Sequence, residues 1–399
     1  MACSASKQSS YLQNEKKETT QNPDDIIPDK RKQEDEIKQK SHPEKPEIVN
    51  DFHVAVLLPF SLNKDILPSS REYVVLESVT DYYQGILLAL DDLKKFGIVI
   101  TLHVYDTQKD SIHTAALLKK PEMASMDLII GPLDPPCFQM INTFSKSYSI
   151  PIVAPFSLVN SQTPANPLAF YCSPDLESYG LAAGSYMSEH RKNARFFYLS
   201  DGSSTDKAFK KGLNVWKDSM GLKITERKIV PEMDVMPLLS KNDSITNYIL
   251  LPSDNEKMVN LALRSFKPAE EEEYRLKVIG LDTWMDFRDP EMDHWDKMQA
   301  CIITAWSENS EDSSFQKFNN TFREKFQIPP GKYALKGYDQ MMFFGEALLA
   351  FGKGFPAYTR DTEFMGVGMD FTWHFTGRVI QNRALRLLHY YDYRFVYKP

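Results

Sequence analysis

From residue 52 onward, short apolar runs alternate with stretches in which apolar residues recur every three or four positions. The first run, residues 52–60 (FHVAVLLPF), is closed by Pro59 and predicts a buried strand. Val79, Tyr82, Tyr83, Ile86, Leu87, Leu90 and Leu93 then keep the rhythm of a helix laid on a sheet, and Gly97 stops it. Residues 98–105 predict a strand with Ile98, Ile100, Leu102 and Val104 on one face; it ends in Asp106-Thr107, and a helix over 111–119 follows. The fullest cycle is residues 127–157. The apolar run 127–130 ends in Gly-Pro, Asp134 is placed to N-cap a helix with Pro135 at its first position, and Phe138, Ile141, Phe144 and Tyr148 fall at helical spacing. A second run, 149–154, ends in Pro155-Phe156-Ser157. Strands joined by a helix run parallel, so residues 52–157 predict successive β–α units on a parallel sheet.

After a connector at 159–167 that contains Pro and Asn, the alternation starts again. A strand at 168–172 leads to a helix capped by Ser173 and Pro174 and running to about Arg191; a strand at 194–200 ends in Asp201-Gly202-Ser203-Ser204. A helix over 205–220 carries Phe209, Leu213, Trp216 and Met220 on one side, and a strand follows at 222–230. The strand at 247–251 ends in Pro252-Ser253-Asp254, the helix over 256–266 follows it, and the strand at 276–281 ends in Asp282-Thr283-Trp284. Beyond a strand at 300–305 come helices over 314–326 and 333–351 and strand-like pieces around 369–375 and 386–397. The fold class is α/β with two lobes, each a mainly parallel sheet flanked by helices.

Composition adds limits. The 399 residues are 42% hydrophobic and 12% aromatic, enough for two cores of ordinary size. A net charge of −7 with no basic stripe argues against nucleic acid as a partner. There is no run of about 18 apolar residues of the kind that spans a membrane. Residues 1–50 are rich in Lys, Glu, Asp, Gln and Ser with scattered prolines and a single aromatic, Tyr11, which predicts a disordered tether.

Candidate chemistry is sparse. The four cysteines (Cys3, Cys137, Cys172, Cys301) form no C-x-x-C pair, so no zinc site is expected; Cys137 and Cys172 are read as buried thiols, with a disulfide as the alternative. No nucleophile elbow, P-loop, complete G-x-G-x-x-G or H-E-x-x-H occurs, so neither enzyme nor cofactor is expected. The acidic run 270–273 reads as a solvated loop. Asp286, Asp289, Glu291, Asp293, His294 and Asp296 could draw a cation but read more simply as an exposed loop.

In order and spacing, several segments resemble the type I periplasmic binding proteins, the family that includes branched-chain amino-acid receptors, in versions like those of Bacteroidetes. They are VAVLLPF at 54–60, YYQGILLALDDL at 82–93, IIGPLD with IPIVAPFS at 129–157, LAFYCSPD at 168–175, YALKGYDQMMFFGEAL at 333–348 and the glycine-bounded GVGMDFTWHFTG at 366–377. The resemblance implies two lobes joined by three crossovers around a closing cleft, with residues 51–160 plus 300–352 in the first and 161–299 plus 353–399 in the second. It also implies a periplasmic or envelope location, a small polar solute, and a membrane transporter or sensor as partner. The alternative is a ligand-free lipoprotein that binds a cell-wall protein. Met1-Ala2-Cys3-Ser4 is similar to the end of a lipoprotein cleavage site, which would make Cys3 a lipidation site and the only route to the membrane; an ordinary N-terminal cysteine is the other reading.

In such sheets ligands sit outside the carboxyl ends of the strands. The candidate ligand-binding residues are therefore Asp134 and Ser157 from the first lobe and Asp201, Ser203, Ser253, Asp282 and Trp284 from the second. In the family's amino-acid receptors, turn hydroxyls and backbone N–H groups hold a carboxylate. Here Asp134-Pro135-Pro136 offers a negative side chain and two residues without N–H donors, which favours a cationic or neutral polar ligand. Each second-lobe candidate has a simpler reading as the cap of the next helix.

Overall fold

In a computed structural model, which describes residues 51–156, 163–360 and 362–397, the alternation becomes two separate sheets. The first is begun by β1 (Asp51–Leu58), β2 (Val99–Asp106), β3 (Leu128–Ile130), β4 (Ile152–Ala154) and β5 (Ala169–Tyr171), all pairing in parallel. Its helices are α1 (Arg71–Lys95), α2 (Ser111–Leu117) and α3 (Pro135–Tyr148). The chain then builds the second sheet from β6 (Ala194–Ser200), β7 (Ile224–Lys228), β8 (Thr246–Leu250), β9 (Leu276–Leu281) and β10 (Cys301–Thr304). Between these strands run α4 (Leu176–Glu189), which leads into the lobe, α5 (Ser204–Met220), α6 (Glu256–Arg264), α7 (Lys267–Glu271) and α8 (Met292–Lys297).

The chain then returns. Helices α9 (Ser313–Phe326) and α10 (Lys332–Phe351) pack on the first lobe, and β11 (Glu363–Phe364), β12 (Phe371–Phe375) and β13 (Ile380–Asn382) extend its sheet beyond β5. The antiparallel pair β14 (Arg386–Tyr391) and β15 (Arg394–Tyr397) finishes the second sheet beside β10. The strand orders are β11-β12-β13-β5-β4-β3-β1-β2 and β15-β14-β10-β9-β8-β6-β7.

This membership differs from the lobe boundaries expected at 160, 299 and 352. Strand β5 belongs to the first sheet, because Ile152, Val153 and Ala154 of β4 pair with Ala169, Phe170 and Tyr171. Strand β10 belongs to the second, through Cys301–Ile303 against Ile279–Leu281 of β9. Strands β11–β13 return to the first lobe, where Trp373, fully buried, packs edge-on to Phe170. The crossings therefore fall at 172–175, at 305–312 and at 383–385, later than the composition of the connectors suggests.

Each sheet is covered on both faces, so its central strands are apolar throughout. Val54–Leu58 of β1 and Leu128–Ile130 of β3 are 0% exposed, and so are Ile249 and Leu250 of β8. Tyr82 belongs to this core: it is fully buried on α1, and its hydroxyl donates to Gln340 Oε1 at 2.7 Å. Helix α4 is capped by Asp175, whose carboxylate accepts from Ser178 N at 2.8 Å, not by Ser173 and Pro174. The acidic run is also partly corrected. Residues 267–271 form α7, and the Glu270 side chain is only 1% exposed, with its Oε1 2.6 Å from His294 Nδ1, while Glu271–Glu273 are exposed.

Cys137, Cys172 and Cys301 are buried free thiols, so the disulfide alternative does not hold. Among the described residues no helix is long and apolar enough to cross a membrane. The tether 1–50, Cys3 and Ser157 lie outside the described residues.

Candidate functional site

The candidate residues in the turns after the strands divide into those spent on local caps and those left at the lobe junction. Asp134 stands where the sequence puts it, at the N-terminus of α3, and its Oδ2 accepts from Cys137 N at 3.2 Å. Three second-lobe candidates come together at the ends of β6 and β8. Asp201 accepts from Ser203 N at 2.8 Å and from the Ser253 hydroxyl at 2.5 Å, while Ser203 caps α5 by accepting from Asp206 N at 3.1 Å. Burial works against the Asp201 carboxylate, but the hydroxyls of Ser253 and Ser203 outweigh it and hold the group below the usual carboxylate range. The Ser253 hydroxyl also accepts from Asn255 N at 3.2 Å, and the side chain is buried. These polar atoms thus have partners within the lobe.

Trp284 is a correction. It is 1% exposed, donates its indole N–H to the Ser253 carbonyl at 3.0 Å, and stacks on Trp295 with ring centroids 5.9 Å apart, so it is part of the second lobe's core. The 3-10 turn Asp282–Asp286 tips the indole inward beneath Gly280, where a Cβ would stand 2.2 Å from the ring.

Asp282 is different, because it faces the other lobe. Its Oδ2 accepts from the Tyr179 hydroxyl of α4 at 2.9 Å and, more weakly, from Thr304 Oγ1 at 3.4 Å. Burial pushes its carboxyl above the usual range, with the Tyr179 hydroxyl and the charge of Lys336 acting against that push. Lys336 comes from the first turns of α10 in the first lobe. Burial pulls its ammonium down to about 8, and the attraction of Asp282 offsets only part of the fall. Its Nζ lies over the rings of Trp306 at 5.4 Å and Tyr333 at 5.6 Å. It takes part in no ion pair of 4.0 Å or less among the described residues, whereas Lys332, one turn earlier, reaches Asp286 at 3.5 Å.

The junction is floored by aromatic rings. Tyr333 meets Phe156 at 5.2 Å, and Phe156 meets Tyr82 at 5.0 Å, edge-on in both cases. Asp81 beside them is occupied, accepting from Gly331 N at 2.9 Å and Ala334 N at 2.7 Å to cap α10. Glu308 is held above its ordinary range by burial and then by the charge of Asp81. Lys336 and Tyr179 were not singled out in the sequence. The only trace of the lysine is a cation one turn after Lys332 in a helix that also carries Asp339, Gln340 and Glu346, and nothing local reveals what covers it.

The crossing strands are pinned by two carboxylates. Asp339, buried on α10, accepts from the backbone N–H groups of Val367, Gly368 and Met369, each at 2.8 Å. Asp370 holds Arg386 through Nε at 2.7 Å and Nη2 at 2.6 Å, and Arg386 donates onward to the Ser307 hydroxyl at 2.8 Å. Two of the three crossings, at 305–312 and 383–385, are thereby tied to each other. The cation reading of residues 286–296 finds other partners: Arg264 holds Glu291 and Glu270 holds His294, and no group of three ligating side chains forms among the described residues.

No protein-family model matches the chain, and no curated protein sequence does. Solved structures do. A putative branched-chain amino acid ABC transporter protein from Rhodospirillum rubrum aligns over 87% of this chain and 100% of its own, at 13% identity and a TM-score of 0.60. An ABC transporter substrate-binding protein from Desulfitobacterium hafniense, crystallised with Leu, covers 87% and 100% at 17% identity and TM-score 0.53. The C-domain of LpoA from Haemophilus influenzae, a regulator of PBP1A, covers 87% and 100% at 13% identity and TM-score 0.56. With two mainly parallel sheets, helices on their faces and three crossings between them, this chain has the type I periplasmic binding protein fold.

Proposed function

We propose that this is an envelope solute-binding protein whose lobes close on a small polar ligand at their junction and present it to a transporter or sensor. The observation that carries this reading is Lys336. A cation drawn out of water without an ion pair is costly, and a ligand carboxylate or similar acceptor placed on it would offset that cost. Opposite it, Asp282 and Tyr179 offer an acceptor and a hydroxyl to an ammonium or hydroxyl on the same ligand. The Asp134 carboxylate is turned onto the N-terminus of α3, so it argues less against an anionic group than the sequence suggests. A zwitterion or anion is therefore favoured. Residues 1–50, anchored through Cys3, would hold the body near the membrane in the periplasm.

The test is a thermal-shift screen against amino acids, polyamines, nucleosides, sugars and peptidoglycan fragments. A true ligand at about 100 times its dissociation constant adds roughly 2.7 kcal/mol to the native state, a shift of several degrees. Lys336→Met should abolish the response of an anionic hit. A hit indifferent to that change removes the lysine from the site.

The second reading is a ligand-free envelope lipoprotein that binds a protein such as a cell-wall synthase. It draws on the LpoA neighbour and on the Lys332–Asp286 contact, which already bridges the lobes. Silence across the panel from well-folded protein, with capture of a cell-wall synthase from envelope extracts, would favour it.

A further inference from the structure

The first sheet ends in β2, and on the face of β1 and β2 that packs toward α2 and α3 the apolar residues give way to two imidazoles. Ala55 and Leu57 of β1 and Tyr105 of β2 are buried there, while His53 and His103, on the same side of the two strands, are half-buried. The register sets His53 opposite Thr101 and Ala55 opposite His103, so the two rings meet on a diagonal with centroids 5.2 Å apart. His53 Nδ1 stands 3.0 Å from His103 Nε2.

Two ring nitrogens at that distance must share something. In the unliganded pair it is a proton: one neutral ring donates, the other accepts, and the N–H can reside on either. The outer nitrogens, His53 Nε2 and His103 Nδ1, have no partner among the described residues and are not buried without one, so water meets them. The same spacing fits a metal ion. With ligand bonds of about 2.1 Å, two nitrogens at right angles around an ion lie about 3.0 Å apart, whereas tetrahedral ligands lie about 3.4 Å apart. The pair as it stands therefore matches an ion of tetragonal or octahedral preference better than tetrahedral zinc. Charge agrees. The Asp127 carboxylate accepts from His53 N at 2.9 Å, and Glu122, whose Oε1 accepts from the Tyr105 hydroxyl at 3.2 Å, is near enough to His103 for their charges to interact. Lys120 offsets part of this, with its Nζ 4.8 Å from the centre of the Tyr105 ring.

We propose that His53 and His103 form a chelating site for an ion of the Cu(II) or Ni(II) type. His53 Nδ1 and His103 Nε2 take adjacent coordination positions and water takes the rest, since no group of three ligating side chains forms among the described residues. The protons balance: the ring that donated within the pair moves its proton to its outer nitrogen, and both inner lone pairs turn to the ion. His53 is near the amino end of β1, whereas the junction is built at the carboxyl ends of the strands, so the inference does not rest on the junction reading.

Ni(II) is the probe, because unlike Cu(II) it does not oxidise thiols and the chain keeps free cysteines. Added to the purified full chain with its eight histidines 15N-labelled, Ni(II) should broaden the ring signals of His53 and His103 together. The two should follow one saturable constant of about 0.2 mM or tighter, half the binding free energy of a four-ligand zinc site being the guide. His53→Gln and His103→Gln assign the two signals, and each should weaken binding at the remaining ring at least tenfold, while His113→Gln on α2 should leave the constant unchanged. If the glutamine variants fold poorly, the wild-type protein still decides: backbone amide signals of β1 and β2 around residues 53 and 103 should broaden with the same constant, ahead of those around any other histidine. Ring signals that do not respond, or that respond with two different constants, mean that the rings share only a proton, and overturn the proposal. Undiminished binding at His53 in His103→Gln overturns it as well, since a lone imidazole then accounts for the ion.

Discussion

The two lobes solve one packing problem with different stretches of chain. In the first, α1 and α10 cross backbone to backbone: a Cβ on Gly85 would stand 1.9 Å from the Ala334 carbonyl oxygen, and one on Gly337 2.1 Å from that of Tyr82. In the second, α4 and α5 do the same, with Gly180 1.9 Å from the Phe209 oxygen and Gly212 1.9 Å from that of Glu177. The local geometry is almost the same, yet α4 and α5 are neighbours in sequence, whereas α1 and α10 are separated by the whole second lobe. Closing a long loop costs more chain entropy, so the second lobe can organise its helix pair early and the first must wait for residues 332–351. The lobes also bring opposite charges to their junction, Lys332 and Lys336 from the first and Asp282 and Asp286 from the second.

The largest expected effect lies where the returning chain is fastened to the first lobe. Asp339→Ala removes the one acceptor shared by three backbone N–H groups, two of them in buried hydrogen bonds, and should cost about 4 kcal/mol in urea unfolding. Burial pushes the Asp339 carboxyl up to about 7, against the pull of those N–H groups. A carboxyl raised in the native state binds more protons folded than unfolded between its two values. Its contribution is therefore complete at low pH and fades as pH rises through about 7. The deficit of Asp339→Ala should accordingly be larger at pH 5 than at pH 8; the opposite trend would mean that the N–H groups, not burial, control this group.

The glycine pairs come next. Gly85→Ala and Gly180→Ala each force two helix backbones apart and should each cost about 3 kcal/mol. They should separate in pulse-labelled hydrogen exchange during refolding, where α4 and α5 gain protection before α1 and α10. Simultaneous protection of both pairs would remove the kinetic distinction between the lobes.

A smaller effect, read in binding, distinguishes the junction lysine. An anionic ligand should lose affinity as pH rises through about 8, where Lys336 gives up its proton, and Lys336→Met should be weaker by tenfold or more and insensitive to pH in that range. Without ligand the sign reverses. A lysine depressed from 10.5 to about 8 carries fewer protons folded than unfolded in that window, so its unfavourable contribution is relieved as pH climbs across it.

How much of this was legible follows the range of the interactions. The β–α alternation was, because burial on both faces of a parallel sheet writes itself as apolar runs, and the caps Asp134 and Ser203 sit where local rules put them. The lobe boundaries were not. The connector before Pro167 looks like a crossing, but β5 is claimed by the edge of β4, a pairing that no local pattern encodes. The return of β11–β13 to the first sheet is hidden for the same reason, although a strand around 369–375 was expected. At the junction, Asp282 could be placed from its position after a strand, while Lys336 required knowledge of the helix that carries it back from the second lobe. His53 and His103 are 50 residues apart, and only the register of β1 on β2 makes them neighbours.

Lys332 gives the smallest and sharpest test of the contrast between the lobes. It reaches Asp286 across the junction at 3.5 Å, but the two side chains are 36% and 71% exposed. Water screens such a pair, so Lys332→Gln should change unfolding stability by less than about 0.5 kcal/mol, and that little should vanish in high salt. If the contact restrains closure rather than supporting the fold, the same substitution should widen the distance distribution between spin labels, one on each lobe, while the melting temperature stays put. Lys336→Met, one turn further along α10, should alter ligand affinity and leave that distribution unchanged in the absence of ligand. Should both substitutions move the labels alike, the division between a surface tether and a buried anchor on the same helix fails.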